Sequence, residues 1–149
     1  MTKPFSLQLL LELTQERTEE ATRKLGQLIA DESGCKERLK LLEGYRAEYL
    51  EKFRTAQASG LTPQAWQNYL GFISRLDEAV EQQRQIVLAA EQRTVKGQQE
   101  WVEENRQMKA LDTLAHRHQT KEMQKENKAE QKMLDEFSSR KSIKSDHLP

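Results

Sequence analysis

The side chains in this chain that could do chemistry are few and badly spaced for it. His116 and His118 lie two residues apart. On a helix they diverge by about 200°, so they cannot share a metal ion and read as solvated surface residues. The single cysteine, Cys35, falls in an apolar repeat and reads as a small core residue rather than a nucleophile. One cysteine also excludes an internal disulfide and fits a reducing compartment. No Gly-x-x-x-x-Gly-Lys run is present to cradle a phosphate. Charge runs such as Glu103-Glu104-Asn105-Arg106 read as solvated faces. These residues imply neither catalysis nor a metal or cofactor.

The elements that carry them are equally telling. Of 149 residues, 36% are apolar and 32% charged, too little apolar matter for a thick core but enough for a stripe along a helix. The 24 basic and 24 acidic residues cancel. A balanced charge argues against a nucleic-acid binder, which needs a basic face to displace counterions. It also argues against disorder for most of the chain, because strong periodicity accompanies it. No apolar run approaches the roughly 20 residues that span a bilayer. The first residues, Met-Thr-Lys-Pro-Phe-Ser, lack an apolar signal core. The expected location is cytoplasmic.

One break stands out, at Ser59-Gly60-Leu61-Thr62-Pro63. Gly60 suits the left-handed residue past a helix end, Thr62 can cap the next helix, and Pro63 suits its first position. The spacing predicts helix one over about 5–58, a loop at 59–62, helix two over about 63–140, and a disordered tail at 141–149. Both helices carry seven-residue repeats. In helix one the a positions run from Leu11 through Thr18, Leu25 and onward to Phe53, and the d positions from Leu7 to Tyr49; ten of the fourteen are apolar. In helix two, seven of the eight a positions from Trp66 to Ala115 are apolar. Sustained heptads with charged flanks signal a left-handed coiled coil. With so short a loop, the fold class is all-α: an antiparallel coiled-coil hairpin whose longer second helix overhangs. The expected register sets Tyr49 opposite Trp66, Leu42 opposite Ile73, Cys35 opposite Val80 and Leu7 opposite Met108. Helix two then has no partner past about Leu111, leaving ~40 Å alone. Gly26, Gly34, Gly44, Gly71 and Gly97 lie inside the helices, and each costs about 1 kcal/mol against Ala, so the hairpin is expected to be pliable.

Apolar residues outside the seam remain. Tyr45, Phe72 and Ala79 occupy g positions, and in an antiparallel pair the g rows share one long edge. The expected register brings Tyr45 and Phe72 together, and Leu42, Tyr49 and Leu76 widen the edge into a patch. Such a patch either broadens a thin core or docks a partner.

The stretch Leu41-Leu42-Glu43-Gly44-Tyr45-Arg46-Ala47-Glu48-Tyr49 resembles the flagellar FliJ family. So do Trp66-Gln67-Asn68-Tyr69, Phe72-Ile73 and the run from Leu76 to Gln82. The late segment from Gln131 to Phe137 is similar to that family's C-terminal motif. The resemblance implies a small component of the flagellar type III export apparatus, an antiparallel coiled coil similar to the stalk of rotary ATPases. It implies three partners: the hexameric export ATPase FliI, the cytoplasmic domain of the export gate protein FlhA, and export chaperones. It implies contact with the membrane only through partners at the flagellar base. The family's gate-docking surface maps onto Leu42, Tyr45, Tyr49, Phe72, Leu76 and Ala79. Arg38 stands there where Gln is usual, and Gln83 where His is usual. Two other classes fit the heptads alone: a self-associating structural scaffold and a holdase chaperone.

Overall fold

The computed structural model describes residues 3–146, with side chains through Ile143. Among them are two helices, α1 (Gln8–Ser59) and α2 (Pro63–Asp146), and no strand. They pack against each other as an all-α hairpin. The chain reverses at Gly60, whose φ of 91° lies in the left-handed region that glycine reaches without steric cost. The Thr62 hydroxyl accepts the Ala65 amide at 3.1 Å, capping α2, and Pro63 opens it where no amide proton is needed. Helical backbone in α2 continues six residues past Arg140, where the sequence predicts a disordered tail; no Gly or Pro interrupts Lys141–Asp146. The remainder of that predicted tail, 147–149, lies outside the described residues.

Contacts divide the chain into two compact units, residues 19–102 and residues 1–18 with 103–149. In the first, covered side chains recur at the predicted seam: Leu25, Leu28, Leu39, Leu42 and Tyr49 from α1, and Tyr69, Ile73, Leu76, Val80, Val87 and Ala90 from α2. Only Ile73, Val80, Val87 and Ala90 among its apolar side chains are buried, as expected of two helices with nothing behind them. Polar seam residues are satisfied across the pair. Gln83 Nε2 donates to the Cys35 carbonyl at 3.0 Å, and Thr94 Oγ1 reaches the Leu28 and Ala90 carbonyls at 3.3 and 3.1 Å.

These contacts correct the expected register by one heptad. Tyr49 meets Phe72 and Tyr69 rather than Trp66, which packs edge-on against Phe53 instead, at 5.2 Å between centroids. Arg46 pairs with Asp77. A slide of seven residues keeps every a position opposite a d position, so the heptads cannot choose between registers. The turn chooses. α1 runs helical to Ser59, and a connection of only three residues sets Phe53 and Ala56, not Tyr49, level with the first turns of α2.

In the second unit, Leu11, Thr14 and Thr18 of α1 are buried, and covered positions of α2 run from Met108 through Ala115 and His118 to Glu122. The two threonines return their hydroxyls to carbonyls one turn back in α1. One carboxylate oxygen of Glu104 is enclosed without a hydrogen-bond partner. The Arg106 guanidinium, by its hydrogen bond, holds the Glu103 carboxyl below the usual carboxylate range, and Gln107 adds to this. The segment ahead of α1 folds onto α2. His118 Nε2 lies 2.7 Å from the Lys3 carbonyl, Phe5 packs on the His118 ring, and Glu122, 7% exposed, accepts the Lys3 amide. The partnered part of α2 therefore extends a full heptad and more beyond Leu111. From Met123 to Ile143 every side chain is exposed.

Candidate partner-binding surface

All eight residues singled out from the sequence lie in the unit of residues 19–102. That unit has two long edges of opposite character. Along one, formed by the e rows with Arg46, charges are paired between helices: Lys36 with Glu91 and Arg84 with Glu43, each at 3.6 Å, and Arg46 with Asp77. The other edge is formed by the g rows. Its lower part is closed by the Lys24–Glu100 pair at 3.4 Å. Stepping three heptads from that pair towards the turn sets Tyr45 level with Ala79. Along this upper stretch no ion pair crosses between the helices among the described residues.

What the upper stretch holds instead is apolar. Tyr45 is 54% exposed and Phe72 41%. Half-buried Leu42, Tyr49, Leu76 and Ala79 form the floor between them and the seam. The Tyr49 ring lies against Phe72, with centroids 4.3 Å apart. The one-heptad shift alters the detail. Tyr45 does not sit across from Phe72, as the sequence predicts, but one heptad below its level on α1, with Tyr49 between them on its own helix. Behind Tyr45 the surface opens into a shallow hollow over Gly44, walled by Leu41 and Glu48. Arg38 is exposed one heptad below Tyr45. Gln83 is not on this surface: it is 9% exposed and spends its amide on the Cys35 carbonyl. Its d position already implied as much. Ile86, 46% exposed, belongs to the row and escaped the sequence reading. Its signal was there, since Phe72, Ala79 and Ile86 are spaced by seven.

The arrangement offers no convergent acid, base or nucleophile. Among the described residues no group of His, Cys, Asp and Glu could hold a metal ion, and no helix is long and apolar enough to cross a membrane. What it offers is a ridge of aromatic and aliphatic side chains on a thin helical scaffold. Aromatic residues supply such contact area at low cost in conformational entropy.

The family model described as "Flagellar FliJ protein" matches residues 2–147. The chain belongs to the flagellar FliJ family. It is 31% identical over 144 residues to the flagellar FliJ protein of Escherichia coli K12, covering 97% of this chain and 98% of that one. The FliJ protein of Salmonella typhi is 29% identical over the same span and coverage. FliJ of Buchnera aphidicola is 34% identical over 79 residues, 53% of each chain. A solved chain from Chlamydia trachomatis described as a YscO homologue, CT670, superposes with a TM-score of 0.64. It covers 99% of this chain and all of that one at 16% identity, which speaks to the fold alone. FliJ membership makes the chain a component of flagellar protein export.

Proposed function

We propose that this FliJ-family chain is a non-catalytic adaptor that docks on the cytoplasmic domain of the export gate protein FlhA through the edge around Tyr45 and Phe72. The same chain engages the hexameric export ATPase FliI and meets export chaperones, so that ATP hydrolysis or ring assembly is coupled to the gate. Its place is the cytoplasmic side of the flagellar base, held there by its partners. The carrying observation is the exposed row itself: Tyr45, Phe72 and Ile86 on the stretch of the g-row edge, above Lys24–Glu100, that no interhelical ion pair crosses among the described residues. A fold needs such residues in its seam, and these stand outside it. Met133, Leu134 and Phe137, exposed on the last turns of α2, suit the ATPase-facing role.

The test is calorimetric titration of the purified gate domain with the Tyr45→Ala/Phe72→Ala chain. Truncating two central aromatic anchors should weaken binding at least about tenfold. The helical signal in circular dichroism should stay unchanged, because both side chains lie outside the seam. Undiminished affinity in a well-folded variant would remove the proposal.

A further inference from the structure

The two edges of residues 19–102 differ in charge balance as well as in polarity. On the ion-paired edge each basic group faces an acid at hydrogen-bonding or near hydrogen-bonding range. On the apolar edge above the Lys24–Glu100 pair the basic groups have no such acid. Arg38 and Lys52 stand one heptad either side of Tyr45 in the same g row. The register set by Lys24–Glu100 puts Arg38 level with Ile86 and Lys52 level with Phe72. Arg75 lies at the outer margin of the facing row, one turn from both Phe72 and Ala79. All three are exposed, and none makes an ion pair among the described residues. Glu37 and Glu48 line the hollow beside Tyr45 together with Lys40, and Glu51, next to Lys52, is paired with Arg54. One heptad further from the turn, Asp31 and Arg93 come level and offset each other. The apolar row is thus framed by a net positive rim in a chain whose total charge is zero.

A rim of uncompensated like charge costs little in water, where each group is hydrated, and steers a partner of opposite sign. We propose that the surface covering this edge is apolar at its centre and acidic at its margin, with carboxylates placed to meet Arg38, Lys52 and Arg75. This rests on the docking reading above and adds the electrostatic character of the partner's face. The ion-paired edge is the internal comparison: its charges are already neutralised, so it offers a partner no net attraction.

The experiment measures association rate and Kd of the full chain with the purified gate domain at about 50 mM and about 500 mM salt. Across that range the Debye length falls severalfold and rim attraction is largely screened. Arg38→Glu, Lys52→Glu and Arg75→Glu should each weaken binding roughly three- to tenfold, chiefly by slowing association, and high salt should shrink the loss. Arg23→Glu, the same charge step on the outer face of α1, should leave binding unchanged. Rim reversals with no more effect than Arg23→Glu, or with tighter binding, overturn the acidic-margin inference. If Tyr45→Ala/Phe72→Ala still abolishes binding in that case, the docking reading stands alone. If the alanine pair has no effect either, both fall together.

Discussion

Gly97 and Gly71 look alike in the sequence, two helix-interior glycines each unfavourable by about 1 kcal/mol against Ala. The structure separates them. Gly97 is buried at a d position, and a Cβ there would lie 2.6 Å from Leu28 Cδ1. The bare Cα is the space into which Leu28 packs. Nothing lies within 4 Å of a Cβ built on Gly71 or Gly26. Gly71→Ala and Gly26→Ala should therefore each stabilise the chain by up to about 1 kcal/mol through helix propensity alone. Gly97→Ala should lose that gain, and about 1 kcal/mol more, to a displaced Leu28 rotamer. Urea midpoints shifted in opposite directions would establish the distinction; three equal increases would show that Leu28 moves aside freely. The pliability expected from five interior glycines is thus a property of four of them.

At the level of elements, the two helices and the turn between them are legible in the sequence and their alignment is not. The strict seven-residue spacing of Leu28, Cys35, Leu42 and Tyr49, and of Ile73, Val80 and Val87, marks which faces meet, because only that period keeps a straight seam on a supercoiled helix. It says nothing about sliding by seven. The information sat in Gly60 and Pro63, which fix a three-residue turn, and it outweighs any single aromatic pairing. Tyr45 and Phe72 were recognised as surplus to the seam for a sound reason, yet their predicted contact inherited the wrong register. The same slip moved the partner of Cys35 from Val80 to Val87. This makes the register testable with the chain's one native thiol. Val87→Cys should form a disulfide with Cys35 under mild oxidation and migrate faster on a non-reducing gel. Val80→Cys, two turns or ~10 Å away along α2, should stay reduced. Efficient bridging at Val80 instead would establish the register that sets Tyr49 opposite Trp66.

For the molecule as a whole, the question is what the length of α2 is for. Its heptads stay apolar or covered as far as Glu122, where the carboxylate receives the Lys3 amide beside the His118–Lys3 contact. Beyond that the seam positions turn to Lys125, Ala129, Lys132, Glu136 and Ser139, and no large apolar stripe continues. The apolar side chains do not vanish. Met133, Leu134 and Phe137 are all exposed, and they gather on another face of the helix. Side chains that bury nothing contribute little to folding, since hydrophobic stabilisation scales with the area removed from water. A chain ending after Glu126 should therefore keep its unfolding free energy within about 0.5 kcal/mol of the full chain. Removing residues 1–7 should cost about 1–2 kcal/mol, because Phe5 and the Lys3 backbone are lost from His118 and Glu122. Equilibrium urea unfolding of the two truncations decides it. If the C-terminal deletion destabilises as much as the N-terminal one, the exposed turns have a folding role after all. If it does not, seventeen described helical residues from Asn127 to Ile143 are present for something other than the hairpin, and their apolar face is where a partner would gain from them.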